Sequence, residues 1–302
     1  RLCRAVQAEM VSGEPLAKAD RSPVTVADFG SQALVARWLA RTFPADPLVA
    51  EEDSADLRRQ AGYLQKVTAF VRRFAAEATE TAVCGWIDRG RGPTGNRFWT
   101  LDPIDGTKGF LRGEQYAVAL ALVVDGQPQV AVLACPELPV EPPGQEKGVL
   151  FAAVRGQGAV AGPLDGGPLH PIRANRTASG HRLVESVESR HGDHARQEAV
   201  AAAVGVNLPP LRMDSQAKYG VVARGEASLY LRLPSPSTPD YREKIWDHAA
   251  GSLIVQEAGG TVTDMDGRPL DFGQGRTLAR NRGVVVTRGG LHQAVLDALG
   301  NG

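Results

Sequence analysis

Cysteine is scarce in this chain. Cys3, Cys84 and Cys135 are the only three in 302 residues, and so few, odd in number and widely spaced, they argue against a secreted disulfide framework and against a thiolate metal cage. A reducing compartment is the expectation. A surplus of either charge is missing as well. Lys plus Arg and Asp plus Glu both count 34, so the formal net charge is zero and no global field would gather a nucleic-acid polymer or an anionic membrane surface. Long apolar runs are absent too: stretches such as YAVALALVV reach about nine residues against the roughly twenty that a bilayer span needs. The six histidines show no close pairing, which disfavours a zinc hydrolase. These absences lead to the expectation of a soluble intracellular protein with neither membrane nor nucleic-acid polymer as partner; a monomer is expected, although no residue pattern carries that. The sequence opens on Arg1 inside a helix-like stretch, LCRAVQAEMV, so a preceding piece is expected; the compartment is the cytoplasm or an organelle, and a plastid or mitochondrial address would lie on that piece.

What is present is an ordinary globular composition, 43% apolar, long enough for a sizeable core in one domain or two. Apolar spacing predicts a helix over Val24 to Phe43, with Phe29, Leu34, Val35, Trp38 and Leu39 on one face, Asp28 near its start and Pro44 ending it. A second helix is predicted over Leu64 to Ala78, followed by a Gly- and Arg-rich loop, GWIDRGRGPTGNR. Phe98 to Leu101 reads as a short strand. Tyr116 to Val124 and Gln129 to Ala134 read as a hairpin whose strands look buried rather than alternating. The proline-rich stretch PELPVEPPGQEKG, 136 to 148, is the best place for a connection between domains, which divides the chain into 1–140 and 141–302. Beyond it, β-like pieces alternate with helical ones, among them ARQEAVAAAV and LHQAVLDAL, as in an α/β half with helices packed on a sheet.

The chemistry concentrates in RFWTLDPIDGTKGF. A strand delivers Asp102 to its carboxyl end, Pro103 stiffens the bend, and Asp105-Gly106 turns the chain so that two carboxylates can converge. That geometry suits a hard cation such as Mg²⁺, which takes carboxylates, waters and phosphate oxygens, and the Ile104 carbonyl is a further candidate ligand. Backbone N–H groups from Gly106 onward could cradle a phosphate, and Thr107 adds a hydroxyl. The alternative is that both aspartates are turn and N-cap residues. Glu51 and Glu52 follow the apolar Leu48 to Ala50, where a strand end would aim them at a cleft, although a solvated charge pair reads the same way. Asp247 falls at the first turn of an amphipathic helix in KIWDHAAGSLIVQEAGG, where capping is the plain alternative.

Taken together, DPIDGT, the upstream EE and the downstream WDHAAG and EAGG resemble the lithium-sensitive, magnesium-dependent phosphomonoesterase superfamily that includes inositol monophosphatase and fructose-1,6-bisphosphatase. The longer strings SPVTVAD, WTLDPIDGTKGFLRGEQYAVALALV, DSQAKY, YLRLP and EKIWDHAAG resemble its 3′(2′),5′-bisphosphate nucleotidase branch and reach from about residue 22 to 286. The resemblance implies a layered α/β (α+β) fold of αβαβα type, with an N-terminal α+β half and a C-terminal α/β half. It implies that Glu51, Asp102, Asp105 and Asp247, with the Ile104 carbonyl, hold two or three Mg²⁺ ions around a phosphate, and that Asp28 with Thr107 orients or deprotonates the attacking water. No covalent intermediate is implied.

The same resemblance gives Gly106, Thr107, Ser215, Lys218, Arg232, Asp247 and one histidine to substrate binding. His191 is the choice, with His194 open, because RHGDH carries Gly192 and Asp193 where the family commonly has small hydroxyl residues. The implied substrate is a nucleotide bisphosphate, adenosine 3′,5′-bisphosphate, with its sulfated form a further substrate. An inositol or sugar phosphate phosphatase, or a nucleotide sensor without catalysis, are the competing expectations.

Overall fold

Period-two burial sorts the side chains of each strand between two layers, and that sorting builds the molecule. The computed structural model describes residues 1–10, 16–17, 23–142, 144–175, 180–187 and 193–300. Its helices are α1 (Leu2–Met10), α2 (Val26–Thr42), α3 (Ala55–Arg58), α4 (Ala61–Arg72), α5 (Glu80–Asp88), α6 (Thr107–Arg112), α7 (His194–Ala203), α8 (Ala217–Ala223), α9 (Ala249–Glu257) and α10 (His292–Gly300). A two-residue pair, β1 (Leu16–Ala17) and β2 (Pro23–Val24), precedes the larger sheets. The first of these has seven strands in sequential order: β3 (Leu48–Ala50), β4 (Arg97–Asp105), β5 (Ala117–Val124), β6 (Gln127–Pro139), β7 (Lys147–Val154), β8 (Gly158–Pro163) and β9 (His170–Pro171). Only β3 and β4 pair in parallel; the rest are antiparallel. The second holds β10 (Arg182–Glu185), β11 (Leu208–Arg212), β12 (Leu229–Arg232), β13 (Thr261–Thr263) and β14 (Val284–Thr287) in the order β11-β10-β12-β14-β13.

Helices α8 and α9 lie between the sheets. Alternate residues of β5 to β8, including Ala119, Ala121, Leu133 and Phe151, join Tyr219, Val222, Leu253 and Ile254 in one buried cluster that also takes Tyr230, Val284 and Val286 from the second sheet. The intervening residues Leu229, Leu231 and Val285 turn the other way and pack on Val200, Val295 and Leu299 of α7 and α10. On the far side of the first sheet, Trp99 and Leu101 of β4 meet Ala36 and Leu39 of α2. The result is the expected αβαβα layering, an α+β fold. Burying a side chain of the size of Phe151 or Leu253 contributes about 2–3 kcal/mol. Among the described residues, no helix is long and apolar enough to cross a membrane.

Several expectations need correcting. The proline-rich stretch at 136–148 does not join two bodies: β6 and β7 pair on either side of it, Cys135 with Val149 and Pro139 with Lys147, so it is a hairpin connection within one sheet. The change of sheet comes after β9. The apolar face of α2 is Val26, Ala27, Phe29, Ala33, Ala36 and Leu39, whereas Trp38 is 52% exposed; small alanines let the helix sit close to the sheet and rotate the larger residues outward. The Gly- and Arg-rich loop begins four residues late, since Gly85 to Asp88 complete α5. Strands β5 and β6 alternate between buried and half-buried positions rather than being buried throughout. Asp247 sits in a 3-10 turn, Ile245–Asp247, ahead of α9, and α9 is buried on nearly all sides instead of amphipathic.

Candidate active site

β4 is longer than expected and carries both aspartates. By alternation Asp102 shares a face with Phe98 and Thr100, and it pairs across to Ala119, but Asp105 pairs with Ala117. Three steps on one strand against two on its neighbour make a bulge around Pro103, which has no N–H to give the ladder. The bulge frees the Asp105 carboxylate to point out of the sheet. Gly106 then adopts φ 85°, a left-handed conformation that favours glycine, and caps α6.

Asp28 stands three residues into α2. There it forms a capping box with Thr25, accepting the Thr25 backbone N–H at 2.7 Å. Its other oxygen is 3.1 Å from the Thr107 hydroxyl, which also lies 3.2 Å from the Ile104 carbonyl. One hydroxyl proton can serve only one of these acceptors at a time. Asp102 is 2% exposed and accepts the Ile104 N–H at 3.1 Å. Glu51 follows β3, which runs parallel to β4 and so ends beside Asp102.

A cavity of about 200 Å³ opens in front of these elements and is lined by Glu51, Asp105, Gly106, Thr107 and Lys108. Ser215, Gln216, Lys218, Arg232, Glu243, Asp247 and His248 line it as well. Asp28 and Asp102 stand just behind it. Ser215 is buried and holds φ 69°, an uncommon strain for a serine; this turn lets the Gln216 N–H donate to Asp105 Oδ2 at 2.7 Å. The Gln216 side chain ties the same loop to the segment that carries Asp247, donating to the Trp246 carbonyl at 2.9 Å and accepting the Gly251 N–H at 3.1 Å. Arg276 adds a tether, donating to the Ala50 and Gly90 carbonyls.

The cavity holds buried charge of both signs. Burial raises the Asp247 pKa well above the usual carboxylate range, with Asp105, Glu51 and Glu243 pushing the same way and Arg232 opposing. Its carboxylate takes no hydrogen bond from the described residues. Burial also raises Asp105, with Glu51 adding and Lys218 and the Gln216 N–H resisting. Lys218 is 4% exposed, and burial lowers its pKa to about 8, helped by Arg232 and resisted by Asp105. Arg232 pairs with Glu243 at 3.1 Å. Burial works against ionising Glu243, yet Arg232 and His248 hold it down at about 2.

A bare carboxylate surrounded by charge of its own sign is what a divalent cation would compensate. The donors nearby are oxygens, from Glu51, Asp102, Asp105, Asp247 and the Ile104 carbonyl, the set a hard ion such as Mg²⁺ accepts. Among the described residues, however, the group whose donor atoms all come within 4.8 Å of one another is Glu243, Asp247 and His248, not three of the four expected carboxylates. The closer trio is a poorer ligand set, because both Glu243 oxygens and both His248 nitrogens already have partners.

His191 lies outside the described residues. His194 begins α7, 3.8 Å from Glu185, and does not line the cavity. The sequence reading missed Lys108, Ser186, Asp214, Gln216, Tyr230, Glu243 and His248 as lining residues. Glu243 and His248 stand four before and one after Asp247, and that i, i+4, i+5 clustering of ionisable residues was the one available signal.

The model of the inositol monophosphatase family matches residues 2–300. A protein of Schizosaccharomyces pombe named 3′(2′),5′-bisphosphate nucleotidase is 44% identical over 94% of this chain and 85% of its own length. A protein of that name from Oryza sativa is 43% identical over 99% and 89%. Among solved structures, the extragenic suppressor protein suhB of Bartonella henselae aligns with a TM-score of 0.66 at 20% identity, over 100% of this chain and 94% of that one; this likeness concerns the fold.

Proposed function

The chain belongs to the inositol monophosphatase family, and from that membership we propose that it is a Mg²⁺-dependent phosphomonoesterase that hydrolyses the 3′-phosphate of adenosine 3′,5′-bisphosphate to give AMP and phosphate. The observation that carries this reading is buried charge of both signs in one cavity. Glu51, Asp105 and Asp247 line it together with Lys218 and Arg232. The carboxylates repel a phosphate unless cations intervene, whereas the basic groups attract one directly. A ligand with two phosphates satisfies both sets, and a single phosphate leaves one unmet.

Glu51, Asp102, Asp105, Asp247 and the Ile104 carbonyl would hold two or three Mg²⁺ ions, with Gly106 and Thr107 beside the scissile group. When bound, such ions neutralise phosphate charge, lower the pKa of a water and stabilise the leaving oxygen. The chain's own residues set the geometry. Thr107, donating its proton to Asp28 Oδ1, turns its oxygen lone pair toward the cavity, where it can accept from a water. Asp28 is placed to take up the proton as that water attacks phosphorus. The phosphorus–oxygen bond to the 3′ carbon breaks, and the departing 3′ oxygen is protonated from solvent. Lys218, Arg232 and Ser215 grip the remaining nucleotide and its 5′-phosphate. The enzyme works as a monomer, and its sulfated substrate analogue is hydrolysed in the same pose.

The test is a phosphate-release screen with Mg²⁺ over adenosine 3′,5′-bisphosphate, adenosine 3′-monophosphate, inositol phosphates and sugar phosphates. Highest kcat/KM on the bisphosphate is expected. Highest kcat/KM on an inositol or sugar monophosphate would refute the assignment.

A further inference from the structure

We propose that Glu243 is a positioning residue for the second phosphate: it fixes the Arg232 guanidinium at the cavity wall and thereby sets the preference for bisphosphorylated over monophosphorylated substrates. The inference rests on the reading above, in which Arg232 meets the 5′-phosphate.

Glu243 is 4% exposed, deep for a carboxylate in an unliganded role. Each of its oxygens is committed. Oε1 accepts from Arg232 Nε at 3.1 Å, and Oε2 meets His248 Nε2 at 3.2 Å. The opposite nitrogen of that imidazole, Nδ1, is 2.7 Å from the Tyr219 hydroxyl. Tyr219 in turn is fully buried, stacked edge-on against Tyr230 with ring centroids 5.2 Å apart. A chain of four side chains thus runs from the inner helix α8 to the last residue of β12, and its only member with a long flexible stem is Arg232. Anchoring the guanidinium through Nε restricts its rotation, and a planar fork fixed in advance loses less freedom when it engages an anion. Glu243 cannot do this as a substrate contact, since its charge repels phosphate. Nor do its oxygens have room for a cation while Arg232 and His248 hold them.

The experiment is a double-mutant cycle. AMP, which keeps only the 5′-phosphate, is titrated calorimetrically into wild type, Glu243→Ala, Arg232→Ala and the double variant, and KM and kcat are measured on adenosine 3′,5′-bisphosphate. Glu243→Ala should raise the AMP Kd and the bisphosphate KM about tenfold, the factor for losing one charge-assisted hydrogen bond, with kcat changed less than threefold. Glu243→Gln, which keeps an acceptor for Arg232 Nε, should recover part of the loss. In the Arg232→Ala background the loss should vanish or reverse, because Glu243 is then only an unpaired negative charge near the phosphate. Equal loss in both backgrounds, or a loss confined to kcat, overturns the proposal. If thermal unfolding shows that Glu243→Ala does not fold, the cycle is run with Glu243→Gln, with about threefold expected and the same criteria. A wild type that does not prefer the bisphosphate over adenosine 3′-monophosphate refutes the functional reading itself; a wild type that prefers it, with Glu243 variants that keep the preference, refutes this inference alone.

Discussion

Replacing Asp247 by asparagine should make the metal-free protein more stable and the magnesium-loaded protein less so. The donor oxygens of Glu243 and Asp247 come within 4.8 Å; at an effective dielectric near 20, two like charges at that separation repel by about 3 kcal/mol. Asp105 and Glu51 add to the repulsion and Arg232 offsets part of it, so a net relief of about 1–2 kcal/mol is a reasonable expectation. For a chain of this size that corresponds to a rise of about 2–3 °C in Tm. The sign with pH follows from the raised native pKa of Asp247. Near the ordinary carboxylate pKa the unfolded chain ionises first, so the penalty is absent below that point, grows as pH rises, and is complete above the native value. The variant's advantage in chelator should therefore widen from acid toward neutral pH. Magnesium should stabilise the wild type by about 2.7 kcal/mol at a hundredfold excess over Kd, and the variant much less. Thermal unfolding of both proteins in EDTA and in MgCl₂, at several pH values, checks the crossing. An Asp247→Asn variant less stable than wild type in EDTA, or equal stabilisation of both by magnesium, would refute the reasoning.

Three further outcomes are expected. Thr107→Val keeps the volume but removes the hydroxyl between Asp28 and Ile104; turnover should fall about hundredfold with unfolding changed by about 1 kcal/mol, and steady-state kinetics showing less than a tenfold loss would count against a proton-handling role. Lys218→Ala should raise KM for the bisphosphate about tenfold or more while affecting adenosine 3′-monophosphate less, and equal losses on the two substrates would contradict a role at the second phosphate. Gly251→Ala should destabilise: an added Cβ would sit 2.4 Å from the Tyr219 ring, and overpacking of this kind costs about 1–3 kcal/mol, read as a lower Tm that leaves magnesium stabilisation in place.

Local chemistry was legible in the sequence. A strand ending in Asp-Pro-Ile-Asp-Gly-Thr states its own bend, because proline cannot complete the ladder and glycine is needed at the positive φ that follows. The start of α2 was equally plain, with Asp28 three residues after Thr25 in a capping box. Composition failed where one pattern serves two structures. Proline, glycine and mixed charge suit a hairpin connection as well as a linker, and only the pairing of Cys135 with Val149 decides between them. Trp38 was misplaced for a related reason: helical spacing gives a face, but the alanines of α2 rather than its largest apolar residues set how closely it meets the sheet.

Distances between side chains far apart in sequence were out of reach, and they matter most at the site. Glu243 and His248 flank Asp247 in sequence and look alike as ionisable neighbours of it. In space they separate by partner: Asp247 is left bare among negative charges, while Glu243 is neutralised by Arg232 and held by His248. The difference comes from β12, which carries Arg232 to Glu243 and leaves Asp247 without a cation of its own. A carboxylate proposed to bind metal and one held by protein partners thus lie four residues apart, and what separates them is where the nearest buried guanidinium ends. That is why the proposed roles of Asp247 and Glu243 make opposite predictions: losing Asp247 should change the response to magnesium, and losing Glu243 should change the response to a second phosphate.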